Sequence, residues 1–455
     1  MSLLNRPKGT ADILPSKSSE WQKLENFLHD TAGTFGFREI RVPTFEETEL
    51  FSRGVGETTD VVQKEMYTVI GSKKNLTLRP EGTAGTIRAL LENGLLNDAL
   101  PQRVYYILSC FRHENVQKGR LREFHQFGVE MAGSAHPSAD AEVISLAKQI
   151  LDQLGLKGIA LKINSIGCPV CRKKYQEALK HYFSGSQECL CSDCRNRLER
   201  NPMRLLDCKV ESCQKIAENV PLILDYLCED CSQHFEKLKA RLEVLEIDYT
   251  VDPKIVRGLD YYTKTVFEFI GKIPDEKGKE KEQTICGGGR YDGLIQQLGG
   301  QSVPALGFGM GLERLLNILE YQGISLTEEK FCDIYFVPMG EQAEIKSMQL
   351  TAQLRKEGIA AQTDVMGRSL RAQMKYADKI GALYTMVLGG DEISSGKAKL
   401  KNMADGTVSE IELNDFTDNF QSIVIKQAMD AFGDSPIEGI DLAEILGGTV
   451  DNGND

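Results

Sequence analysis

Three arginines, one strand of alternating polarity and a crowd of cysteines are the parts of this 455-residue chain whose types and spacing suit chemistry. Arg112 follows the apolar run Val104 to Phe111 and opens a polar segment, a position from which a guanidinium can grip phosphate with two parallel hydrogen bonds. Arg257 heads Arg257-Gly-Leu-Asp-Tyr-Tyr262-Thr-Lys-Thr-Val-Phe-Glu268, a β-branched and aromatic run with a polar edge. Arg314 closes Gly307-Phe-Gly-Met-Gly-Leu-Glu-Arg314. Between them lies Cys286-Gly-Gly-Gly-Arg-Tyr291, whose three glycines let a ligand approach bare backbone, so the pair of segments reads as a strand and a loop facing a ligand. Side chains alternate across a strand with period two, which puts Gln126, Gly128 and Glu130 on one face and His125, Phe127, Val129 and Met131 on the other. The apolar side is expected to pack on a core while the polar side, with a glycine gap, faces a cavity. A solvent-exposed sheet face is the other reading of the same pattern.

Nine of the twelve cysteines fall between Cys168 and Cys231. Cys168-x2-Cys171 and Cys191-x2-Cys194, nineteen residues apart, suit a tetrahedral thiolate zinc, and Cys208-x4-Cys213 with Cys228-x2-Cys231 suit a second set. Such a zinc would stabilise structure and take no part in catalysis. Cys228 and Cys231 also lie in a helical stretch, where a free cysteine behaves as a small buried hydrophobe.

Around these residues the elements can be read in order. A helix begins at Pro15 and Ser16, with Leu24, Phe27 and Leu28 at helical spacing. Phe37 to Phe45 reads as a strand with Pro43 near its end, and Met66 to Ile70 with Asn75 to Leu78 as a hairpin before Arg79-Pro-Glu-Gly-Thr83. Val104 to Phe111 and Glu123 to Met131 form an antiparallel pair joined by a polar loop containing Gln117-Lys-Gly-Arg120. Residues 162–245 interrupt the strands with cysteine pairs, charges and helical runs such as Leu222 to Leu245. Strand character returns from Tyr249 to Phe269, and Lys272 to Glu282 is a charged hairpin tip. Beyond Tyr321, strands (333–337, 359–364, 383–388) alternate with helices (342–356, 370–380), the signature of a separate α/β domain with parallel pairing. From Asp434 the chain is acidic and glycine-rich, with mobile last residues expected.

The length implies two to four domains. Hydrophobic content of 41% and charged content of 26% suit a globular enzyme, and no apolar run nears the roughly eighteen residues a membrane span needs. The first residues lack a secretory or transit pattern, so a cytoplasmic location is expected. A net charge of -12 argues against nucleic acid as a partner, yet four cations between Arg112 and Arg122 and the run Arg195 to Arg204 allow basic patches on an acidic body. Neither a Gly-x4-Gly-Lys-Ser/Thr phosphate loop nor the His-Ile-Gly-His and Lys-Met-Ser-Lys-Ser segments of Rossmann-type synthetases occur.

The segments from Arg257 and Cys286 resemble the two signature motifs of histidyl-tRNA synthetases, and that from Gly307 resembles the third motif of class II aminoacyl-tRNA synthetases. All three lie in order within about sixty residues. Lys8-Gly-Thr-Ala-Asp-Ile-Leu-Pro15 is similar to the start of that family, Phe37 to Phe45 to its dimer-forming first motif, and Ser369 to Lys379 with Leu388-Gly-Gly-Asp-Glu to its anticodon-binding domain. The resemblance implies an α+β catalytic domain on an antiparallel sheet (residues 1–165 and 246–325), a mainly helical cysteine-rich insertion (166–245), a C-terminal α/β anticodon-binding domain (330–415) and an extension (416–455). It further implies a homodimer, ATP with Mg2+, and L-histidine and tRNA(His) as substrates. Arg112 and Arg257 would hold the reacting α-phosphate, Arg257 also the histidine carboxylate, and Arg314 the γ-phosphate. Glu130 and Tyr262 would contact the imidazole, and Glu81, Thr83 and Gln126 the amino and carboxylate groups, with Gly82, Tyr261 and Tyr291 lining the pocket. The alternative within the same resemblance is a histidine-sensing paralogue, the regulatory subunit of ATP phosphoribosyltransferase, which shares only the catalytic portion.

Overall fold

The computed structural model describes residues 4–56, 59, 61–116, 120–274, 278, 280–326 and 332–432. Two compact units divide the chain, residues 1–327 and 328–455. The middle of the 112–122 loop, the very tip of the 272–282 hairpin and the segment after residue 432 lie outside the described residues.

The first unit is built on an eight-stranded sheet. Its strands run, edge to edge, Arg38–Glu39, Gln102–Phe111, Glu123–Ala132, Ala305–Gly311, Glu280–Arg290, Thr263–Pro274, Ala160–Ser165 and Thr250–Val251. The six between the edge strands pair antiparallel, and the two short edge strands join parallel. Gln102–Phe111 and Glu123–Ala132 pair along their whole length, with Tyr106 opposite Gly128 and Val104 opposite Glu130. As the alternation predicts, Phe127, Val129 and Met131 are buried in one core with Leu24 and Leu28 of the helix Pro15–Thr34 and Val143, Ile144 and Ile150 of the helix Pro137–Gln153. Burial of such side chains is the main force holding the helices to the sheet, each contributing roughly 1.5–3 kcal/mol.

Two expected strands are shorter than the sequence suggests, for one physical reason. Phe37 to Phe45 pairs with the large sheet only at Arg38–Glu39 and is interrupted before Phe45, which pairs with Leu78 in a separate small sheet, because the buried Arg79 guanidinium takes the carbonyls of Val42 (2.8 Å) and Pro43 (3.0 Å). Tyr249 to Phe269 is strand only at 250–251 and from Thr263 onward. In between, side chains take the carbonyls: Asn164 binds those of Pro253 and Ile255, Arg204 that of Gly258, and Arg172 those of Asp260 and Tyr262. Buried carbonyls must find donors, and here they find them in side chains instead of a neighbouring strand. Arg257 to Tyr262 is therefore a loop, with the expected strand beginning only at Thr263, while the three glycines 287–289, expected in a loop, are inside the strand Glu280–Arg290.

Helices dominate the cysteine-rich stretch: Pro169–Ser184, Ser192–Arg200, Glu211–Ile216 and Glu229–Val244. The last starts at Glu229, after a short 3-10 turn, and packs Phe235, Leu238 and Leu242 into the core of the large sheet.

In the second unit Ile334–Pro338 pairs in parallel with Ala361–Thr363 and Tyr384–Leu388, as the alternation of strands and helices requires. An antiparallel pair, Lys397–Asn402 and Val408–Glu412, extends the sheet beyond the predicted strands. The helix Phe416–Phe432 places Phe416 and Phe420 in this unit's core.

Candidate active site

Glu130 projects from the centre of the sheet, fully buried, into a nest of hydroxyls. One carboxylate oxygen accepts from Thr83 Oγ1 (2.7 Å) and Tyr106 Oη (3.0 Å), and the other from Tyr291 Oη. Burial pushes its pKa up to about 8 in spite of these three donors. The polar face expected from the alternation is thus real, but its glycine gap is filled. The Tyr106 ring lies against Gly128 and Gly82, where a Cβ at either position would come within 2.3 Å of it. Glycine is also required opposite the strand. A Cβ on Gly307 would meet Glu130 Oε2 at 2.1 Å, and one on Gly309 would meet Gln126 Nε2 at 1.9 Å. The bare backbone of the third motif therefore makes room for the two polar side chains of the neighbouring strand.

The aromatic rings continue from there. Tyr291 packs edge-on against Tyr261 at 5.4 Å, and Tyr261 lies 4.7 Å from Tyr262. The Arg257 guanidinium sits 5.8 Å from the centre of the Tyr262 ring and is ion-paired to Glu268. Its Nε is buried and has no hydrogen-bond partner among the described residues, a free donor in a closed setting. Gly287 lies beneath this group, since a Cβ there would come 2.3 Å from Arg257 Nη1. The glycine run was expected to admit a ligand to the backbone. Instead Gly287 seats an arginine, and Gly288 allows the strand to lie close to the Gly307 carbonyl.

The other two arginines face the same region. Arg112 donates from Nε to the Pro80 carbonyl (2.8 Å) and lies 5.4 Å over the Phe124 ring. Arg314, in the first turn of the helix Leu312–Tyr321, donates from Nη1 to the Thr284 carbonyl (2.6 Å). Burial lowers its pKa, and the like charges of Arg120 and Arg112 lower it further, against the pull of Glu114 and Glu268. Cations crowded tightly enough to repel one another make a seat for a polyanion. Glu268 also accepts from Thr284 Oγ1 (3.0 Å), so it ties Arg257 to the strand that holds Arg314's partner carbonyl.

Two of the candidates already have partners within the chain. Both oxygens of Glu81 cap the helix Thr83–Glu92, accepting from the backbone N–H groups of Thr83 (2.7 Å) and Ala84 (2.9 Å), and burial raises its pKa. Gln126 faces the same side as Glu130 and accepts from Cys110 Sγ at 3.6 Å. Several contributors were given no part in the site from the sequence: Tyr106, Glu114, Arg120, Glu268, and a buried trio that includes Arg290, the neighbour of Tyr291. In that trio Arg290, wholly buried, binds Asp140, which His234 also approaches at 3.3 Å. Burial works against the charge on Asp140, yet His234 and Arg290 together hold its pKa down to about 2. Tyr106 was within reach of the sequence, because pairing the two strands end to end sets it opposite Gly128. Asp140 and His234, by contrast, come from segments far from Arg290 in the chain.

The cysteines group differently from the expected sets. Cys168 and Cys171 meet Cys228 and Cys231, while Cys191 and Cys194 meet Cys208 and Cys213. The expectation joined pairs adjacent in sequence. The fold instead brings the starts of the helices Pro169–Ser184 and Glu229–Val244 together. Either group could hold a metal ion. Of the basic run, Arg197, Arg200 and Arg204 line with Lys64 a cavity of about 200 Å3.

The sequence profile described as histidyl-tRNA synthetase matches residues 9–170 and 201–315, more than half of the chain. The chain belongs to the histidyl-tRNA synthetase family. An anticodon-binding domain profile matches residues 333–423. The chain is 54% identical over 413 residues to a histidine–tRNA ligase of Acetivibrio thermocellus, covering 90% of this chain and 98% of that one. To one of Clostridium botulinum it is 52% identical, covering 90% and 97%. Among solved structures it resembles apo S. aureus histidyl-tRNA synthetase with a TM-score of 0.78 and 39% identity, over 92% of this chain and all of that one. The architecture is accordingly the class II synthetase fold. No described helix is long and apolar enough to cross a membrane.

The raised pKa of Glu130 has a consequence for stability. A carboxyl whose folded pKa lies near 8 and whose unfolded pKa lies near 4.5 binds a proton more tightly when folded. Its contribution is therefore complete below about pH 4.5 and is lost as pH rises through 8. Glu130→Gln cannot ionise, so its melting temperature relative to the unaltered protein should rise by a few degrees between pH 5 and pH 8.5. A difference independent of pH would mean that Glu130 is already ionised in the folded chain.

Proposed function

We infer that this chain activates L-histidine with ATP to histidyl-adenylate and transfers the histidyl group to tRNA(His). One observation carries the reading: a single run of contacts, Glu130 to Tyr291 to Tyr261 to Tyr262 to Arg257, links a buried carboxylate to an arginine with a free buried donor. Glu130 and Tyr262 take the imidazole. In its ionised form, which a bound imidazolium favours, the Glu130 carboxylate has three of its roughly four acceptor positions taken by hydroxyls, which leaves one for a ring N–H. A carboxylate acceptor for that N–H discriminates against side chains that lack it more strongly than an apolar pocket could. Thr83, Gln126 and Glu81 serve the amino and carboxylate groups, while Gly82 and Tyr261 shape the walls.

In the first step a histidine carboxylate oxygen bonds to the α-phosphorus of ATP and pyrophosphate departs. In the second the terminal ribose hydroxyl of the tRNA attacks the histidyl carbonyl and AMP departs. Two anions must meet in the first step, and the task of the protein is to neutralise and orient them. Arg112 and Arg257 hold the α-phosphate, Arg257 also the histidine carboxylate, and Arg314 the γ-phosphate. The phosphate oxygens can accept the protons released. Glu114 and Glu268, hard oxygen donors standing among these arginines, suit Mg2+, which would balance charge on the phosphates when bound.

We further place the catalytic domain at residues 1–165 and 246–325, the insertion at 166–245, the anticodon-binding domain at 330–415 and an extension at 416–455. The protein would work in the cytoplasm as a homodimer formed through Phe37 to Phe45, where Phe45 is 55% exposed. Sedimentation as a single 50.6 kDa chain would exclude that assembly. The anticodon-binding match over residues 333–423 favours the enzyme over the regulatory paralogue. Charging of a tRNA(His) transcript with labelled histidine tests the reading. Acid-stable label on the tRNA is expected with histidine alone among the amino acids; histidine binding without charging would favour the sensor.

A further inference from the structure

Eight cysteines outside the catalytic site form two tetrads, and both adjoin the loop that carries Arg257 and Tyr262. In each tetrad all four sulfurs lie within 4.8 Å of one another. Cys168 Sγ is 3.6 Å from Cys171 Sγ and 4.0 Å from Cys228 Sγ, and Cys191 Sγ is 3.9 Å from Cys208 Sγ. A tetrahedral zinc with bonds of about 2.3 Å separates its sulfurs by about 3.8 Å. A disulfide needs about 2.05 Å, so these spacings fit a shared metal and not paired oxidation. Apolar packing would disperse the sulfurs among aliphatic neighbours instead of turning all four inward.

Backbone and helix geometry suit thiolates as well. Cys168, Cys191 and Cys228 each stand at the N-cap of a helix, with Cys171, Cys194 and Cys231 in the following turn. Helix N-termini favour negative charge. Backbone N–H groups also point at sulfur, from Cys228 to Cys171 Sγ (3.0 Å) and from Cys191 to Cys213 Sγ (3.3 Å).

We propose that the two tetrads each bind one zinc ion and that together these ions brace the catalytic loop 257–262 from two sides. On the first side Arg172, next to Cys171, donates from Nη1 to the carbonyls of Tyr262 (3.0 Å) and Asp260 (3.3 Å). Gly167, next to Cys168, accepts from the Lys264 N–H at 2.9 Å. On the second side the segment between Cys194 and Cys208 supplies Asn201, whose Nδ2 donates to Asp260 Oδ1 (3.0 Å), and Arg204, which donates to the Gly258 carbonyl. The loop has no strand partner among the described residues; besides the Asp260 N–H on the Val55 carbonyl (3.1 Å), the Arg257–Glu268 pair and the packing of Tyr261 on Tyr291, it is these side chains that take its carbonyls, and their place depends on the tetrads. Each zinc displaces the thiol protons of its four cysteines on binding, and soft thiolate ligands select zinc over magnesium or calcium.

The experiment uses the full chain, purified from zinc-supplemented culture, with metal counted by mass spectrometry. Two zinc ions per chain are expected, about one in Cys171→Ser and in Cys194→Ser, and two in Cys189→Ser, whose exposed thiol belongs to neither tetrad. Metal-free folded protein, or the eight cysteines found as disulfides, overturns the sites. Where a serine variant fails to fold, stepwise release from the unaltered protein by a mercurial reagent gives the same count. Extraction should raise hydrogen–deuterium exchange in residues 257–262 about tenfold or more, leave the strand Gln102–Phe111 unchanged, and reverse on adding zinc. Extraction that leaves the loop protected overturns the brace. None of these readouts depends on activity, so a chain with two zinc ions and no histidine chemistry would contradict the function proposed above and leave the metal sites standing.

Discussion

Arg257→Ala is expected to lower histidine-dependent exchange between ATP and pyrophosphate by about 10²–10³, chiefly in kcat. The guanidinium is held over Tyr262 and against Glu268, with its Nε unspent, and in the proposed mechanism the partner of that donor would arrive with the substrates. A contact made most strongly where negative charge meets negative charge is one that the ground state does not report in full, and its loss therefore appears in turnover. Removing Arg257 also leaves Glu268 beside the incoming phosphates, which adds repulsion to the missing attraction. Gly287→Ala offers a second route to the same loss without touching the arginine. The added methyl would stand 2.3 Å from Nη1 and 2.6 Å from Cζ, so the flexible guanidinium must shift while the strand persists. Normal exchange in both variants would remove Arg257 from the mechanism.

Where Glu130 is ionised, above about pH 8 or opposite a bound imidazolium, Glu130→Gln should weaken histidine about 10- to 100-fold, as expected for a hydrogen bond to a charged acceptor, with ATP affinity little changed. Titration of each substrate against the variant reads both numbers. The carboxamide still fills the space: its oxygen can accept from Thr83 and Tyr106, and its NH2 can donate to the Tyr291 hydroxyl, which rotates to suit. The nest survives, and only its charge is gone. Equal losses for histidine and ATP would mean that Glu130 supports the whole sheet rather than the imidazole. The pH dependence of melting separates these further, because the buried charge opposes stability above about pH 8 only if Glu130 is the titrating group.

Period-two alternation made the core of this site legible in the sequence. It set Gln126 and Glu130 on one face and Phe127, Val129 and Met131 on the other, and the structure keeps both sets. The helix opening with Arg314 and the parallel strands of the second unit were legible on the same grounds. What the sequence hid depends on contacts between distant segments. The loop 252–262 looks extended and β-branched, yet its carbonyls are taken by Asn164, Arg172 and Arg204, the last two from the inserted stretch. The glycines of 287–289 looked like room for a ligand, yet Gly287 is room for Arg257, just as Gly307 and Gly309 are room for Glu130 and Gln126. Cysteine spacing announced the thiol clusters but not their partners, because Cys168 and Cys228 meet only after the two helices they begin are folded against one another.

Exchange between ATP and pyrophosphate, measured with each of the twenty amino acids in turn, tests the central claim most directly: that arginines seated for a triphosphate and a carboxylate seated for an imidazole belong to one site. Histidine alone should drive exchange, and the signal should vanish without ATP-bound Mg2+. Exchange with an amino acid that lacks a ring N–H, or none with any, would contradict it.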